Sequence, residues 1–283
     1  MKLIVDSGST KTDWIALDER NELIIETQTQ GLNPQVLSDQ ILEERIINNY
    51  DLYKPRKEVS QIFFYGAGCG TQPPRELLAK VLTGIFPNAA ITVKEDTFAA
   101  VYAAADPGSE SIVCILGTGS NCSYFDGSSI EQRIISLGYI LMDDGSGNYF
   151  GRQLLRDYYF NKIPTDLAKI FEASFDLSSE TIKTNLYKKP NPNTYLAKFA
   201  RFLIENKDAD YSQGLIKKGL NLFVKNQVLQ FENATAIPIH FIGSIAHYLK
   251  DELTQVLTEN GLSIGKVLRK PIDGLVEYHR SFS

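Results

Sequence analysis

The segment Asp6-Ser-Gly-Ser-Thr-Lys-Thr12 gathers a carboxylate, several hydroxyls and one ammonium group around a glycine. Phosphate can be held without a large basic patch when backbone N–H groups, hydroxyls and a closely approachable chain converge. Gly8 permits the tight turn, Thr10 and Thr12 offer hydroxyl donors beside Ser9, and Lys11 can meet phosphate charge. Asp6 suits a Mg²⁺ ion held through water, because Mg²⁺ takes oxygen ligands and keeps part of its hydration shell. The same residue types also favour an ordinary hairpin turn. Gly117-Thr118-Gly119-Ser120-Asn121 repeats the pattern later in the chain. Neither segment is a GxxxxGK[ST] loop, which is absent throughout.

Transfer of a phosphoryl group to a hydroxyl is mostly positioning and electrostatics, with a carboxylate accepting the hydroxyl proton. Asp96 fits that role, because it ends a strand and is followed by Thr97 and small residues that leave room for a substrate. It also suits the N-cap of the helix that follows, and the two roles are compatible. Asp143-Asp144, ahead of Gly145-Ser146, form a second acidic site that could bind sugar hydroxyls or Mg²⁺, or cap a helix. The segment FFYGAGCG, with an acid downstream, approaches a dinucleotide fingerprint but misses it. Gly66 and Gly68 fit, whereas position 71 is threonine and Pro73-Pro74 interrupt the helix start.

The elements that must position these groups follow from hydrophobic period and turn residues. Leu3–Asp6 reads as a buried strand, residues 14–31 as two strands joined at Glu19-Arg20-Asn21, and Leu37–Asn49 as a helix capped by Ser38 or Asp39. Gln61–Tyr65 and Ala89–Val93 are strands, separated by a helix opened by Pro73-Pro74 and running to about Ile85. Thr97–Ala105 is helical and stops at Asp106-Pro107-Gly108, the candidate domain boundary. The pattern then restarts with a strand over Ser111–Leu116 and a returning strand over Cys122–Phe125. A helix follows over residues 148–160, and residues 164–235 are largely helical. A strand over Ile237–Ile242 and a helix over Ile245–Asn260 complete the reading. A strand entering a small-residue loop thus occurs at LIVDSGSTKTDW, IVCILGTGSNCSYF and IPIHFIGSIAHYL, which implies a duplicated α/β architecture with a cleft between domains.

Composition narrows the function classes. The 283 residues carry a net charge of -5 with scattered basic residues, which argues against a nucleic-acid partner. The three cysteines, Cys69, Cys114 and Cys122, lack paired metal spacing, and the reading is of reduced thiols, with Cys69 the one expected to be exposed. The strand before the first loop, Leu3–Asp6, has four residues, too few for a signal-peptide core, and no stretch is long enough to span a membrane. A cytoplasmic protein is expected.

Taken in order, these loops resemble the phosphate-1, phosphate-2 and adenosine motifs of the sugar-kinase/Hsp70/actin superfamily. More narrowly, VDSGSTKTDW, GLNP at 31–34, EDTFAAVYAA, LGTGSNC, LMDDGSG, FIGSIA and KPIDGLVEY are similar to segments of N-acetylglucosamine kinases of the BadF/BadG/BcrA/BcrD-type ATPase family. The resemblance implies two ribonuclease-H-like (actin-like ATPase) domains with an interdomain cleft. Residues 1–107 would bind sugar and phosphate, and 108–283, with a helical insertion, the nucleotide, the last helix able to pack back on the first domain. It implies ATP and Mg²⁺ as cofactors, an amino sugar as substrate, and a homodimer. Asp96 would be the base for the sugar 6-hydroxyl. Asn33, Thr118, Gly119, Asn121 and Asp143, with neighbouring Asp144, would line the sugar pocket. Gly8, Ser9, Thr10, Lys11, Thr12, Gly117 and Thr118 would hold phosphates, with Asp6 near Mg²⁺, and Gly243 and Ser244 would pack on adenosine. SGST stands where glycines are more usual, Lys11 where Arg is frequent, and Pro34-Gln35 follow GLN without an aromatic residue. The alternative within the same family is an ATPase that activates a 2-hydroxyacyl-CoA dehydratase or benzoyl-CoA reductase, which needs exposed cysteines for a shared iron–sulfur cluster.

Overall fold

A computed structural model describes residues 1–8 and 10–281. The chain forms two compact units, Met1–Ala103 together with Lys270–Ser283, and Ala104–Arg269. The first contains β1 (Lys2–Ser7), β2 (Lys11–Leu17), β3 (Leu23–Gln30), α1 (Asp39–Ile47), α2 (Tyr50–Tyr53), β4 (Gln61–Gly66), α3 (Gln72–Ile85), β5 (Ala90–Glu95) and the bulk of α4 (Asp96–Ala104). The second contains β6 (Ser111–Leu116), β7 (Ser120–Phe125), β8 (Ile130–Glu131), α5 (Gly147–Tyr159), α6 (Thr165–Ser174) and α7 (Ser179–Tyr187). It continues with α8 (Pro192–Ala197), α9 (Ala200–Glu205), α10 (Asp210–Asn226), β9 (Ile239–Ile242), α11 (Ser244–Tyr248), α12 (Lys250–Glu259) and β10 (Ile264–Leu268). The terminal helix α13 (Pro271–Ser281) returns to the first unit.

Each unit has a five-stranded mixed sheet, ordered β3-β2-β1-β4-β5 in one and β10-β9-β6-β7-β8 in the other. The two orders are the same topology. The first strand of each pairs antiparallel with the second and parallel with the fourth, and the fourth pairs parallel with the fifth. This is the duplicated α/β architecture that the repeated loops implied and the two-domain actin-like fold that the family resemblance implied.

In the first unit Trp14, Phe64, Phe86, Leu78 and Leu82 build the core on the α1/α3 side of the sheet. On the other side Ile4, Ile15, Leu17, Tyr65 and Ala99 meet Ile272, Leu275 and Val276 of α13. The period-2 alternation of β2 sends Trp14 to one side and Ile15 to the other. Gly274 lies so close to Ala103 that an added Cβ would fall 2.7 Å from the Ala103 Cα. In the second unit a continuous core joins Phe150, Phe171, Phe202, Leu220, Phe223 and Phe241.

Three local departures from the sequence expectation have physical causes. The helix expected over Ile245–Asn260 is divided into α11 and α12 at Leu249, whose fully buried side chain holds a non-helical backbone (φ -106, ψ 29). Strand β10, IGKVL, carries little hydrophobic pattern of its own and is placed by pairing with β9, with Gly265 against the His240 ring and a register shift between Ile264 and Val267. Strand β7 begins at Ser120, so Asn121 is a strand residue paired with Ile115 and not part of the turn.

Candidate functional site

In the first unit β1, β4 and β5 run parallel, with Ser7 beside Gly66 and Gly66 beside Glu95. Asp6 near the end of β1 and Asp96 directly after β5 therefore stand at the carboxyl ends of parallel strands, where open α/β sheets bind ligands. Burial first, then the charges of Asp96 and Asp13, pushes the Asp6 carboxyl up to about 7, against the lowering influence of Lys11 and Lys270. Burial and the neighbouring Glu95 raise Asp96 to about 6, although the N–H groups of Thr97 and of Asp96 itself hold it down. Asp96 begins α4 and accepts these N–H bonds, so its helix-start and chemical roles coexist.

The turn after β1 is built by hydrogen bonds. Gly8 N–H donates to the Lys11 carbonyl at 2.9 Å, and Gly31 N–H to the Thr10 carbonyl at 3.0 Å. Gly8 and Thr10 are exposed and can meet a ligand, whereas Ser9 lies outside the described residues. Thr12 is placed differently from the expectation. It is fully buried, with its hydroxyl 2.8 Å from that of Ser7 and 3.2 Å from the Gln30 carbonyl. Ser7 Oγ in turn accepts from Leu32 N–H at 3.1 Å, so Ser7 and Thr12 fix the turn and the Gly31-Leu32-Asn33 segment beside it. Lys11 Nζ contacts Asp13 at 3.0 Å and remains half-exposed.

Asn33 lies against Gly68, whose positive φ of 82° forms the turn after β4, and its Oδ1 accepts from Gln35 N–H at 2.9 Å. The segment that resembled a failed dinucleotide fingerprint thus borders the same strand ends as Asp96. An added Cβ on Gly70 would lie 3.1 Å from the Glu95 carboxylate. Sequence reasoning assigned no role in this site to Gly68, Gly70, Glu95, Asp13 or Lys270. A strand ending in alternating glycines was the available signal for Gly68 and Gly70, whereas Asp13 and Lys270 meet only through the fold.

The donor set around Asp6 and Asp96 fits a hard cation such as Mg²⁺. Carboxylates whose proton affinity is raised by burial and by neighbouring acids are relieved by positive charge, and Mg²⁺ needs only one or two of them. Among the described residues no group of three or more His, Cys, Asp or Glu side chains is arranged to hold a metal ion.

In the second unit the β6–β7 turn is closed by Gly117 N–H donating to the Gly119 carbonyl at 3.0 Å, with open space beside Gly117 and Thr118 exposed. Asp143, in the left-handed region at φ 67°, sets its carboxylate against Gly119. Asn148 on α5 ties the two together, donating from Nδ2 to Asp143 Oδ2 and to the Thr118 carbonyl, each at 2.7 Å. Gly147 N–H reaches the Gly117 carbonyl at 2.8 Å, and Ser146 caps α5. Asp144 turns elsewhere, accepting from Asn226 Nδ2 at 2.9 Å. Asn121 Oδ1 accepts from Cys122 N–H at 2.7 Å. Gly243, at φ 121° and ψ 165°, lies against the Leu116 carbonyl, and Ser244 beside it is exposed.

All three cysteines are buried, and Cys69, expected to be exposed, is wholly so. Burial, with Asp96 and Glu95, pushes its thiol up to about 12, so it does not present a thiolate ligand at neutral pH. Cys114 and Cys122 face one another inside the sheet at 3.4 Å. Nothing here supplies the surface cysteines that a subunit-bridging iron–sulfur cluster requires. No helix among the described residues is long and apolar enough to cross a membrane.

No protein-family model matches the chain. Solved structures do. A Porphyromonas gingivalis protein provisionally named N-acetylglucosamine kinase is 35% identical, with a TM-score of 0.92 over 99% of both chains. A Chromobacterium violaceum protein with the same provisional name matches at a TM-score of 0.72 and 12% identity over 98% of both chains. A ROK-family glucokinase from Streptomyces griseus, in complex with glucose and AMPPNP, matches at 0.61 and 13% identity over 98% of this chain and 97% of its own. The last two share the fold.

Proposed function

We propose, from the premise that this chain belongs to the sugar-kinase family of its Porphyromonas gingivalis relative, that it phosphorylates an amino sugar with ATP. The substrate we favour is N-acetyl-D-glucosamine and the product its 6-phosphate, as the name of that relative suggests. As a sugar kinase the chain is an ATP:sugar phosphotransferase, and the AMPPNP complex of the glucokinase supports ATP as donor. The wider placement among BadF/BadG/BcrA/BcrD-type ATPases, the cytoplasmic location and the homodimer belong to the same reading.

The observation that carries the mechanism is the pair of perturbed carboxyls, Asp6 and Asp96, at the carboxyl ends of parallel strands. Asp96 accepts the proton of the attacking sugar hydroxyl as its oxygen bonds to the γ-phosphorus. The bond from that phosphorus to the β–γ bridging oxygen breaks, and ADP departs. A carboxyl raised to about 6 is a stronger base than an ordinary aspartate and is still ionised at neutral pH. Gly8, Ser9, Thr10 and Lys11 contact phosphate oxygens, while Thr12 holds the turn in shape. In the second unit Gly117 and Thr118 offer further phosphate contacts, and Gly243 and Ser244 an adenosine platform. Asn33, Thr118, Gly119, Asn121 and Asp143 are the groups suited to sugar hydroxyls and the N-acetyl group. Asp144, engaged with Asn226, is assigned no such contact. Asp6 would hold Mg²⁺ through water, and the ion when bound would offset phosphate charge.

The test is a coupled ADP-release assay across hexoses and amino sugars, run with the parent protein and Asp96→Asn. Turnover with N-acetylglucosamine that falls roughly 10²- to 10⁴-fold in the variant supports reaction and base together. ATP consumption indifferent to every sugar would remove the kinase reading.

A further inference from the structure

Lys11 and Lys270 come from opposite ends of the chain and meet on one carboxylate. Lys11 Nζ lies 3.0 Å from Asp13 Oδ2, and Lys270 Nζ lies 3.8 Å from Asp13 Oδ1. From the other side Gln28, the cross-strand partner of Asp13 on β3, donates Nε2–H to Oδ1 at 2.6 Å. Asp13 is nearly enclosed, with a side chain 11% exposed, whereas the Lys11 and Lys270 side chains are 49% and 37% exposed. The carboxylate is the fixed member and the ammonium groups are the accessible ones.

One lysine and Gln28 would satisfy Asp13. The second ammonium group is more than Asp13 alone requires, and exposed ion pairs of this kind contribute little to stability. Both lysines flank the turn after β1 and act electrostatically on Asp6 at that strand's end. We infer that Lys270 is a second phosphate-binding cation of the first unit, which shares the carboxylate of Asp13 with Lys11 until phosphate takes its place. The inference rests on the reading of the 6–12 turn as a phosphate site and adds a residue to it.

The backbone supports this role. Lys270 precedes Pro271, which restricts it to extended conformations, and Pro271 opens α13. That helix is anchored in the first unit by fully buried Leu275 and by the close approach of Gly274 to Ala103. The ammonium group is therefore carried on a fixed base and reaches through its own flexible stem. The topology gives Lys270 a counterpart. It lies in the connection from β10 to α13, the counterpart of the step from β5 into α4 that Asp96 begins, so both copies of the fold carry a charged group where the fifth strand passes to its helix. An arriving phosphate can take both ammonium groups from Asp13, whose charge remains partly met by Gln28.

The experiment titrates ATP and, separately, adenosine into the full chain by calorimetry for the parent, Lys270→Met, Lys270→Arg and Asp13→Asn. Lys270→Met is expected to bind ATP roughly ten-fold more weakly with adenosine affinity unchanged, since a charge-assisted hydrogen bond is lost. Lys270→Arg should retain most of the ATP affinity. Asp13→Asn, which leaves both lysines in place and removes their competitor, should bind ATP at least as tightly as the parent. Equal ATP affinity in Lys270→Met overturns the inference, as does an equal loss of ATP and adenosine binding, which would mark structural damage. Weaker ATP binding in Asp13→Asn also overturns it, and that measurement stands even if Lys270→Met does not fold. A parent protein that binds no ATP would sink the phosphate-site reading and this inference with it, whereas a parent that binds ATP without sugar-dependent turnover would sink only the kinase reading.

Discussion

Asp6 and Asp96 share a problem at the residue scale, because each is partly enclosed and each lies near other acids. The pH dependence of the proposed reaction follows from this. The base must be ionised, so kcat/KM should rise with pH along a limb whose apparent pKa, near 6, belongs to the interacting Asp6/Asp96 pair. A pH–rate profile flat from 5 to 8 (about the range that brackets the limb) would remove Asp96 from the base role. The same groups affect stability in the opposite sense to an ordinary salt-bridged aspartate. Asp6 is raised from 3.8 to about 7 in the folded chain, so the folded state holds more protons than the unfolded one between those values. Stability from this group is therefore present at low pH and is lost as pH rises through that window. Asp6→Asn should melt higher than the parent at pH 8, with the difference shrinking as pH falls below the window, as differential scanning calorimetry would read. A constant difference at all pH values would contradict the assignment.

The unit of design at the element scale is a strand ending in a loop whose shape is fixed by its own side chains. Asn148 shows how this works in the second unit, since one amide holds the Asp143 carboxylate and the Thr118 carbonyl together. Its own Oδ1 is buried without a protein partner. Asn148→Ala would leave a buried carboxylate and a carbonyl less satisfied, costing about 1–3 kcal/mol of stability. If Asp143 binds the sugar, the variant should also raise the sugar KM more than the ATP KM. Gly243 is a second such point, because its backbone conformation is one that essentially only glycine adopts and a Cβ would strike the Leu116 carbonyl. Gly243→Ala is expected to destabilise by about 1–3 kcal/mol from backbone strain alone. Unfolding in urea would test it, and an unchanged midpoint would show that the turn can relax.

The whole chain does not divide simply in two along its length. The terminal helix α13 completes the first unit, where Tyr65 Oη meets His279 Nε2 at 2.9 Å within a buried group of rings. Burial first, then the charges of Lys2 and Lys94, depresses His279 to about 4, so the neutral ring is the one that packs. The folded pKa is below the usual 6.5, which makes this contribution complete above that value and lost as pH falls toward 4. Leu275→Ala, at a fully buried position of the same helix, is expected to cost about 2–5 kcal/mol. A thermal melt unchanged by that substitution would mean α13 is dispensable to the first unit.

The motif-bearing strands and the site loops were legible in the sequence because each is a local event. LIVD before SGST, IVCIL before GTGSN and IHFI before GS each announce a buried strand meeting small residues, and Asp96 stands out as the acid after such a strand. Even the duplication showed, through repetition of that signal. Long-range pairing did not show, because it depends on contacts between residues far apart in the chain. Only the tertiary structure buried Cys69, turned the Thr12 hydroxyl inward onto Ser7, directed Asp144 to Asn226, and joined Lys270 to Asp13 across most of the chain. Strand β10 escaped for the same reason, since its place is set by pairing with β9 and by the His240 ring over Gly265, not by its own weak pattern. Residue types and their spacing determined which chemistry this chain could attempt. Burial and long-range packing decided which of those side chains are free to take part in it.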